Sequence, residues 1–152
     1  VAYFSASGVT AKLAKNLSQA IGADLYEIQP EQPYTTADLD WTNKRSRTTR
    51  EMTDKTFRPA ITGKVENMEQ YDTVYVGFPI WWYVAPTIIN TFLESYDLAG
   101  KTVVPFATSG GSGMGRTNTE LEQSCKGARL KEGKRFNINV KEAELKTWAD
   151  QF

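Results

Sequence analysis

Three apolar runs without polar alternation, Val1 to Phe4, Thr73 to Phe78 and Thr102 to Ala107, constrain this chain more than any other feature. A strand with one wet face alternates apolar and polar side chains. A continuous apolar run fits a strand covered on both faces, as in a parallel sheet sandwiched by helices. The half-polar run Asp24 to Ile28 fits an edge strand, and Ala128 to Leu130 with Phe136 to Ile138 fit a fifth strand that is interrupted.

Helix-period segments lie between these runs. Thr10 to Ile21 places Leu13, Ala14, Leu17 and Ile21 on one stripe, and Gly22 follows as a helix stop. Pro86 to Tyr96 begins with a first-turn proline and puts Ile89, Phe92, Leu93 and Tyr96 on one face. Asn118 to Cys125 is a shorter helix candidate. Asn139 to Phe152 reads as a terminal helix, with Asn139 and Glu142 spaced as a capping pair. This alternation predicts a doubly wound α/β fold in one domain spanning residues 1–152. The segment 31–64 carries the weakest pattern; its Lys44, Arg45, Arg47 and Arg50 sit at roughly helical spacing, as a solvated helix face or a docking patch for an acidic partner.

Composition removes most catalytic classes. With no histidine and the single cysteine Cys125, the chain cannot build a Ser-His-Asp or Cys-His centre, a disulfide within itself or a histidine- or cysteine-based metal site. Lys plus Arg equals Asp plus Glu at 18 each, so no basic surplus points to nucleic acid or an anionic membrane. No apolar run approaches the ~20 residues that span a bilayer. A lone cysteine suits the reducing cytoplasm, where the protein is expected as a monomer. The apolar opening, without Met or polar lead-in, suggests that a few residues or a processed leader precede Val1.

Ligands of open α/β sheets bind beyond the carboxyl ends of the strands, so the loops there carry the functional signal. Ser5-Ala6-Ser7-Gly8-Val9-Thr10 follows the first strand and leads into a helix. Free amides and the helix dipole favour an anion at such a place, although a plain Ser/Thr cap would use the same residues. After the third strand, Pro79-Ile80-Trp81-Trp82-Tyr83 presents three successive aromatics, which cannot all turn inward from a short loop. A flat heteroaromatic ring would stack well there. After the fourth strand, Thr108-Ser109-Gly110-Gly111-Ser112-Gly113-Met114-Gly115 exposes backbone amides fit for the polar edge of a ring. No charged residue occurs from Gly77 to Thr91 or from Thr102 to Gly115, so the crevice should be apolar with a few placed dipoles.

In register, these three loops resemble those of the flavodoxin family. Residues 5–10 resemble its FMN phosphate loop, usually T/S-x-T/S-G-x-T; Gly77 to Trp82 and Ser109 to Gly113 resemble the two isoalloxazine loops of a bacterial subfamily. The resemblance implies a three-layer sandwich around a five-stranded parallel sheet of order 2-1-3-4-5, of the short-chain type. It implies FMN as cofactor, its phosphate held by Ser5, Ala6, Ser7, Gly8, Val9 and Thr10. Its ring would be lined by Pro79, Ile80, Trp81, Trp82 and Tyr83 and by Thr108, Ser109, Gly110, Gly111, Ser112 and Gly113. The implied activity is electron transfer with redox partner proteins, without catalytic side chains of its own. The alternative is an FMN-dependent NAD(P)H:quinone-type reductase. A phosphorelay receiver lacks its aspartate, because Phe78 and Pro79 occupy that place, and a dehydrogenase would need G-x-G-x-x-G after the first strand.

The chain departs from the family pattern in three ways. Tyr83 stands where the subfamily commonly has glycine, which makes a positive φ costlier by roughly 1 kcal/mol and implies a poorly stabilised one-electron-reduced flavin. Ser109 stands where relatives often have histidine. The chain is also neutral where typical flavodoxins are acidic, which argues against the usual docking to basic partners.

Overall fold

The computed structural model describes residues 1–109 and 111–152, so the expectation for Gly110 lies outside the described residues. The central sheet contains β1 (Ala2–Tyr3), β2 (Tyr26–Glu27), β5 (Thr73–Pro79), β6 (Thr102–Thr108), β7 (Arg129–Leu130) and β8 (Lys134–Arg135). Its order is β2-β1-β5-β6, with β7 and β8 both pairing with β6, and every pairing is parallel. This is the expected order 2-1-3-4-5, with the fifth position shared by two short pieces. The buried pair β5 and β6 runs in register from Thr73 opposite Thr102 to Pro79 opposite Thr108.

The apolar runs lack alternation because both sheet faces are covered. Phe4, Val76, Phe78 and Val103 join α3 (Thr87–Glu94) and α4 (Thr117–Glu122) in one core cluster containing Ile88, Ile89, Phe92, Leu93 and Leu121. Tyr3, Tyr75, Val104 and Phe106 face the other way onto α1 (Val9–Ile21) and α5 (Glu142–Ala149), where Leu13, Ala14, Leu17, Leu145 and Trp148 close the second cluster. Burying side chains of this size contributes about 1.5–3 kcal/mol each, so the two faces hold the sheet between its helix layers. Gly22 ends α1 at φ 65, its amide donating to Ser18 O, as its place in the sequence predicts.

Several boundaries differ from the sequence expectation. The second piece of the fifth strand is Lys134–Arg135, not Phe136 to Ile138. Phe136 is buried and its ring meets Trp148 at 4.9 Å, but the chain then turns away, with the Asn139 amide donating to Asn137 Oδ1, and leaves Ile138 exposed. The Asn139–Glu142 cap does not form, because α5 starts after Lys141 without a side-chain cap. α3 and α4 are shorter than their apolar periods suggest, and Pro86 is the N-cap of α3.

The segment 31–64 contributes α2 (Arg47–Thr53), capped by the Ser46 hydroxyl accepting from the Thr49 amide. β4 (Ile61–Thr62) pairs antiparallel with β3 (Gln29–Pro30), forming a small second sheet that the sequence pattern does not foreshadow. Lys44 and Arg45 precede α2, so the four basic residues do not share one helix face. Among the described residues, no helix is long and apolar enough to cross a membrane.

Candidate functional site

The loop after β1 is organised by Ser5. Its hydroxyl accepts from the amides of Gly8 and Ala11, both at 3.1 Å, and so replaces the missing side-chain cap of α1. Gly8 is the N-cap at φ 92, a conformation that glycine adopts at little cost. Among the described residues, the amides of Ser7, Val9 and Thr10 meet no acceptor, and no acidic residue lies in the first turn. These donors and the positive end of the helix dipole make an anion seat. Ser7, Gly8 and Val9 are exposed around it, while Ala6 packs against the core. Thr10 is 2% exposed and its hydroxyl lies 2.8 Å from that of Thr108, so its amide, not its side chain, faces the seat.

Thr108 ends β6 and joins all three loops. Its hydroxyl meets Thr10, its carbonyl accepts from the Ile80 amide at 2.9 Å, and the glycine-rich loop leaves from its C-terminal side. In that loop the Ser109 hydroxyl donates to Ser112 O and accepts from the Gly111 amide at 3.3 Å. Gly113 is exposed, with open space where a Cβ would stand.

The aromatic loop divides its three rings as the sequence suggests. Trp81 turns inward, edge-on to Phe4 at 5.6 Å and to Tyr34 at 5.5 Å. Trp82 and Tyr83 remain exposed, at 40% and 68%. Reciprocal bonds between Trp81 and Val84, at 2.9 and 3.1 Å, close a two-residue turn around them. Both central residues have positive φ, 47 at Trp82 and 67 at Tyr83, as a type I′ turn requires. The conformation expected to be costly at Tyr83 is therefore built into the fold.

A cleft of about 300 Å³ opens beside this turn, lined by Leu39, Trp41, Thr48, Ile80, Trp81, Trp82, Tyr83 and Ser112. None of these side chains is ionisable below the tyrosine range. The phosphate loop is not part of the lining; it reaches the cleft through Phe4, which precedes Ser5 and packs on Trp81. Sequence reasoning missed Leu39, Trp41 and Thr48. The available signal was Trp41 itself, a tryptophan in a polar, turn-rich stretch and 72% exposed in the structure.

A buried polar network holds the strand of chain that carries these residues. Glu51 is 4% exposed; it accepts from Tyr34 Oη at 2.5 Å and from Arg47 Nε at 2.8 Å. Arg47 also stacks 3.8 Å over the Tyr34 ring and donates to Gln32 O at 2.6 Å. Burial, reinforced by the bond to Glu51, pushes the Tyr34 hydroxyl far above the ordinary phenol range. Arg47 is thus committed inside the protein and is not part of a free basic patch.

The fold and site define an open, doubly wound α/β protein with an anion seat and an uncharged aromatic cleft beyond its strand ends. A flavodoxin family model matches residues 1–152, and the chain belongs to the flavodoxin family. Among solved structures, it is similar to proteins assigned as flavoproteins from Bacteroides eggerthii DSM 20697 and Bacteroides uniformis ATCC 8492. The first is 53% identical with a TM-score of 0.93, covering 99% of this chain and 94% of that one. The second is 48% identical with a TM-score of 0.92, covering 98% and 95%. A flavoprotein from Lactobacillus acidophilus NCFM, solved in complex with FMN, shares the fold at 22% identity and a TM-score of 0.73, covering 97% and 95%. No curated protein matches the sequence.

Proposed function

We propose that this single-domain protein binds FMN non-covalently and carries electrons between partner proteins. The observation that carries this reading is the convergence on Thr108. One residue ties an anion seat, an aromatic loop and a glycine-rich loop together at the ends of β1, β5 and β6. The amides of Ser7, Val9 and Thr10, which meet no acceptor among the described residues, suit a phosphate dianion, and the 300 Å³ cleft suits a flat apolar ring. The FMN-bound Lactobacillus acidophilus protein of the same fold supports the choice of ligand.

Bound FMN supplies the one- or two-electron chemistry. The chain's own residues would bind and orient it: the α1 N-terminus would hold the phosphate, and Trp82 and Tyr83 would line the ring. The uncharged lining offers no side chain as an acid or base near neutral pH, which suits a carrier. Trp41, Trp82 and Tyr83 leave the cleft rim exposed and apolar, where a partner protein can approach the ring edge.

Titration of the purified protein with FMN and with riboflavin, followed by flavin absorption and fluorescence, tests this reading. FMN should bind far more tightly than riboflavin, because only FMN reaches the anion seat. Equal affinities would remove the phosphate site, and binding of neither would remove the carrier reading. Sustained NADPH oxidation by the loaded protein alone would replace it with a reductase.

A further inference from the structure

The turn that carries Trp82 and Tyr83 is held from outside itself. Two bulky L-residues at positive φ are strained, and among the described residues the turn's own backbone bonds are the two between Trp81 and Val84. The peptide joining Tyr83 to Val84 is gripped on both sides. Its N–H donates to Trp81 O at 3.1 Å, and its carbonyl oxygen faces the backbone of Gly115. A methyl group at position 115 would lie 2.1 Å from that oxygen and 3.2 Å from Tyr83 Cβ, so only glycine lets the loops close together.

Gly115 is itself braced. The carbonyl of Met114 accepts from the Thr117 amide at 3.1 Å and from its hydroxyl at 2.5 Å, fixing the loop to the start of α4. The terminal methyl of Met114 lies over Gly133, where a Cβ would approach it to 2.4 Å. The turn therefore rests on a backbone wall that runs back to α4 and to the chain between β7 and β8.

We propose that Gly115 is a positioning residue for the flavin site. It touches no ring, but by seating the Tyr83 carbonyl it fixes the peptide plane of the strained turn. That plane sets where Trp82 and Tyr83 stand in the cleft. This inference rests on the FMN reading for its functional consequence, while the seating of Tyr83 is a property of the protein without flavin.

The test is a double-mutant cycle of Gly115→Ala and Tyr83→Gly, read by flavin affinity and by backbone amide NMR of the flavin-free protein. In flavin-free G115A, the amides of residues 82–84 should shift. FMN and riboflavin should weaken by the same factor, about tenfold, because the phosphate loop is untouched. Visible circular dichroism of the bound flavin should change with them. In the Y83G background the added loss should shrink to about threefold, since a glycine backbone yields to the new methyl.

Unmoved amides at 82–84, a changed FMN-to-riboflavin ratio, or an undiminished loss in the Y83G background would each overturn the proposal. If the native protein binds neither flavin, the FMN reading fails, and the amide shifts alone decide the role of Gly115. Should G115A not fold, Met114→Ala loosens the same brace without placing an atom against Tyr83. Shifts at 82–84 with equal weakening of both flavins would then support the proposal, and their absence would end it.

Discussion

The hydroxyls of Thr10 and Thr108 meet at 2.8 Å in a buried contact between residues 98 positions apart. This bond fastens the first turn of α1 to the end of β6, and with it the anion seat to the ring cleft. Thr108→Val keeps the shape but leaves the Thr10 hydroxyl buried without its partner, which should cost about 1–3 kcal/mol in urea unfolding. Thr10→Val combined with Thr108→Val removes both partners and should recover most of that loss. The double variant should also keep FMN affinity within a few-fold, because the Thr10 amide, not its hydroxyl, faces the seat. A selective loss of FMN over riboflavin would assign the hydroxyl to the phosphate after all.

Ser5 organises the same loop by a different bond set. Its hydroxyl takes the amides of Gly8 and Ala11, a role that a Ser N-cap would ordinarily fill. Ser5→Ala should destabilise the flavin-free protein by about 1 kcal/mol, as loss of a helix cap does. It should also lower the preference for FMN over riboflavin while leaving riboflavin binding close to native. Equal weakening of both ligands would mean that the loop also shapes the ring site.

Much of this arrangement was legible in the sequence, for reasons that can be named. Val76, Phe78, Val103 and Phe106 sit in unbroken apolar runs because both sheet faces are covered, and that signal survives without knowledge of partners. The three loops were legible because small residues, aromatics and glycines occur where strands end. The region around α2 was not, because its order comes from the Glu51–Arg47–Tyr34 network and from a two-residue antiparallel pairing. Such pairings depend on residues distant in sequence and leave no period behind. The inward turn of Arg47 was hidden although its pair with Glu51 is local, because the Tyr34 ring and the Gln32 carbonyl that complete its surroundings are distant in sequence. Phe136 misled about the end of the fifth strand, since a buried aromatic can close a strand as readily as sit within it.

Trp41 is the clearest residue that the sequence pattern did not deliver. It is 72% exposed yet lines the same cleft as Trp82 and Tyr83, where a bound ring would give its area a partner. Trp41→Ala should leave flavin-free stability within about 0.5 kcal/mol of native. Both FMN and riboflavin should bind less tightly, by about tenfold if one ring face is lost. Unchanged affinity for both would place the ring away from this wall.

Tyr34 gives the alkaline stability a definite sign. Burial and the bond to Glu51 raise its ionisation above the ordinary value near 10, so the native state holds a proton that the unfolded chain releases. Its contribution is complete below about pH 10 and is lost as pH rises beyond that value. Tyr34→Phe removes one donor to the buried carboxylate of Glu51, a loss of about 1–3 kcal/mol at neutral pH. The gap between native and Y34F stability should then narrow above pH 10 in urea titrations. A gap that stays constant to pH 11 would mean that Tyr34 does not govern this limb.

Tyr83 is where stability and site construction pull apart. Its φ of 67 strains an L-residue, while its ring is 68% exposed and buries little in return. Glycine there relieves about 1–2 kcal/mol of strain and gives back roughly 0.4–1 kcal/mol through the freer unfolded chain. Tyr83→Gly should therefore leave the flavin-free protein unchanged or more stable, by up to about 1.6 kcal/mol. Ile138→Gly makes the contrast, since Ile138 is also exposed, at 60%, but lacks a positive φ, and it should lose stability. Strain kept at an exposed aromatic is accounted for if the ring works in the cleft. The same Y83G protein should accordingly bind flavin more weakly despite its gain. Higher stability with undiminished binding would show that the strain serves no part of the flavin site.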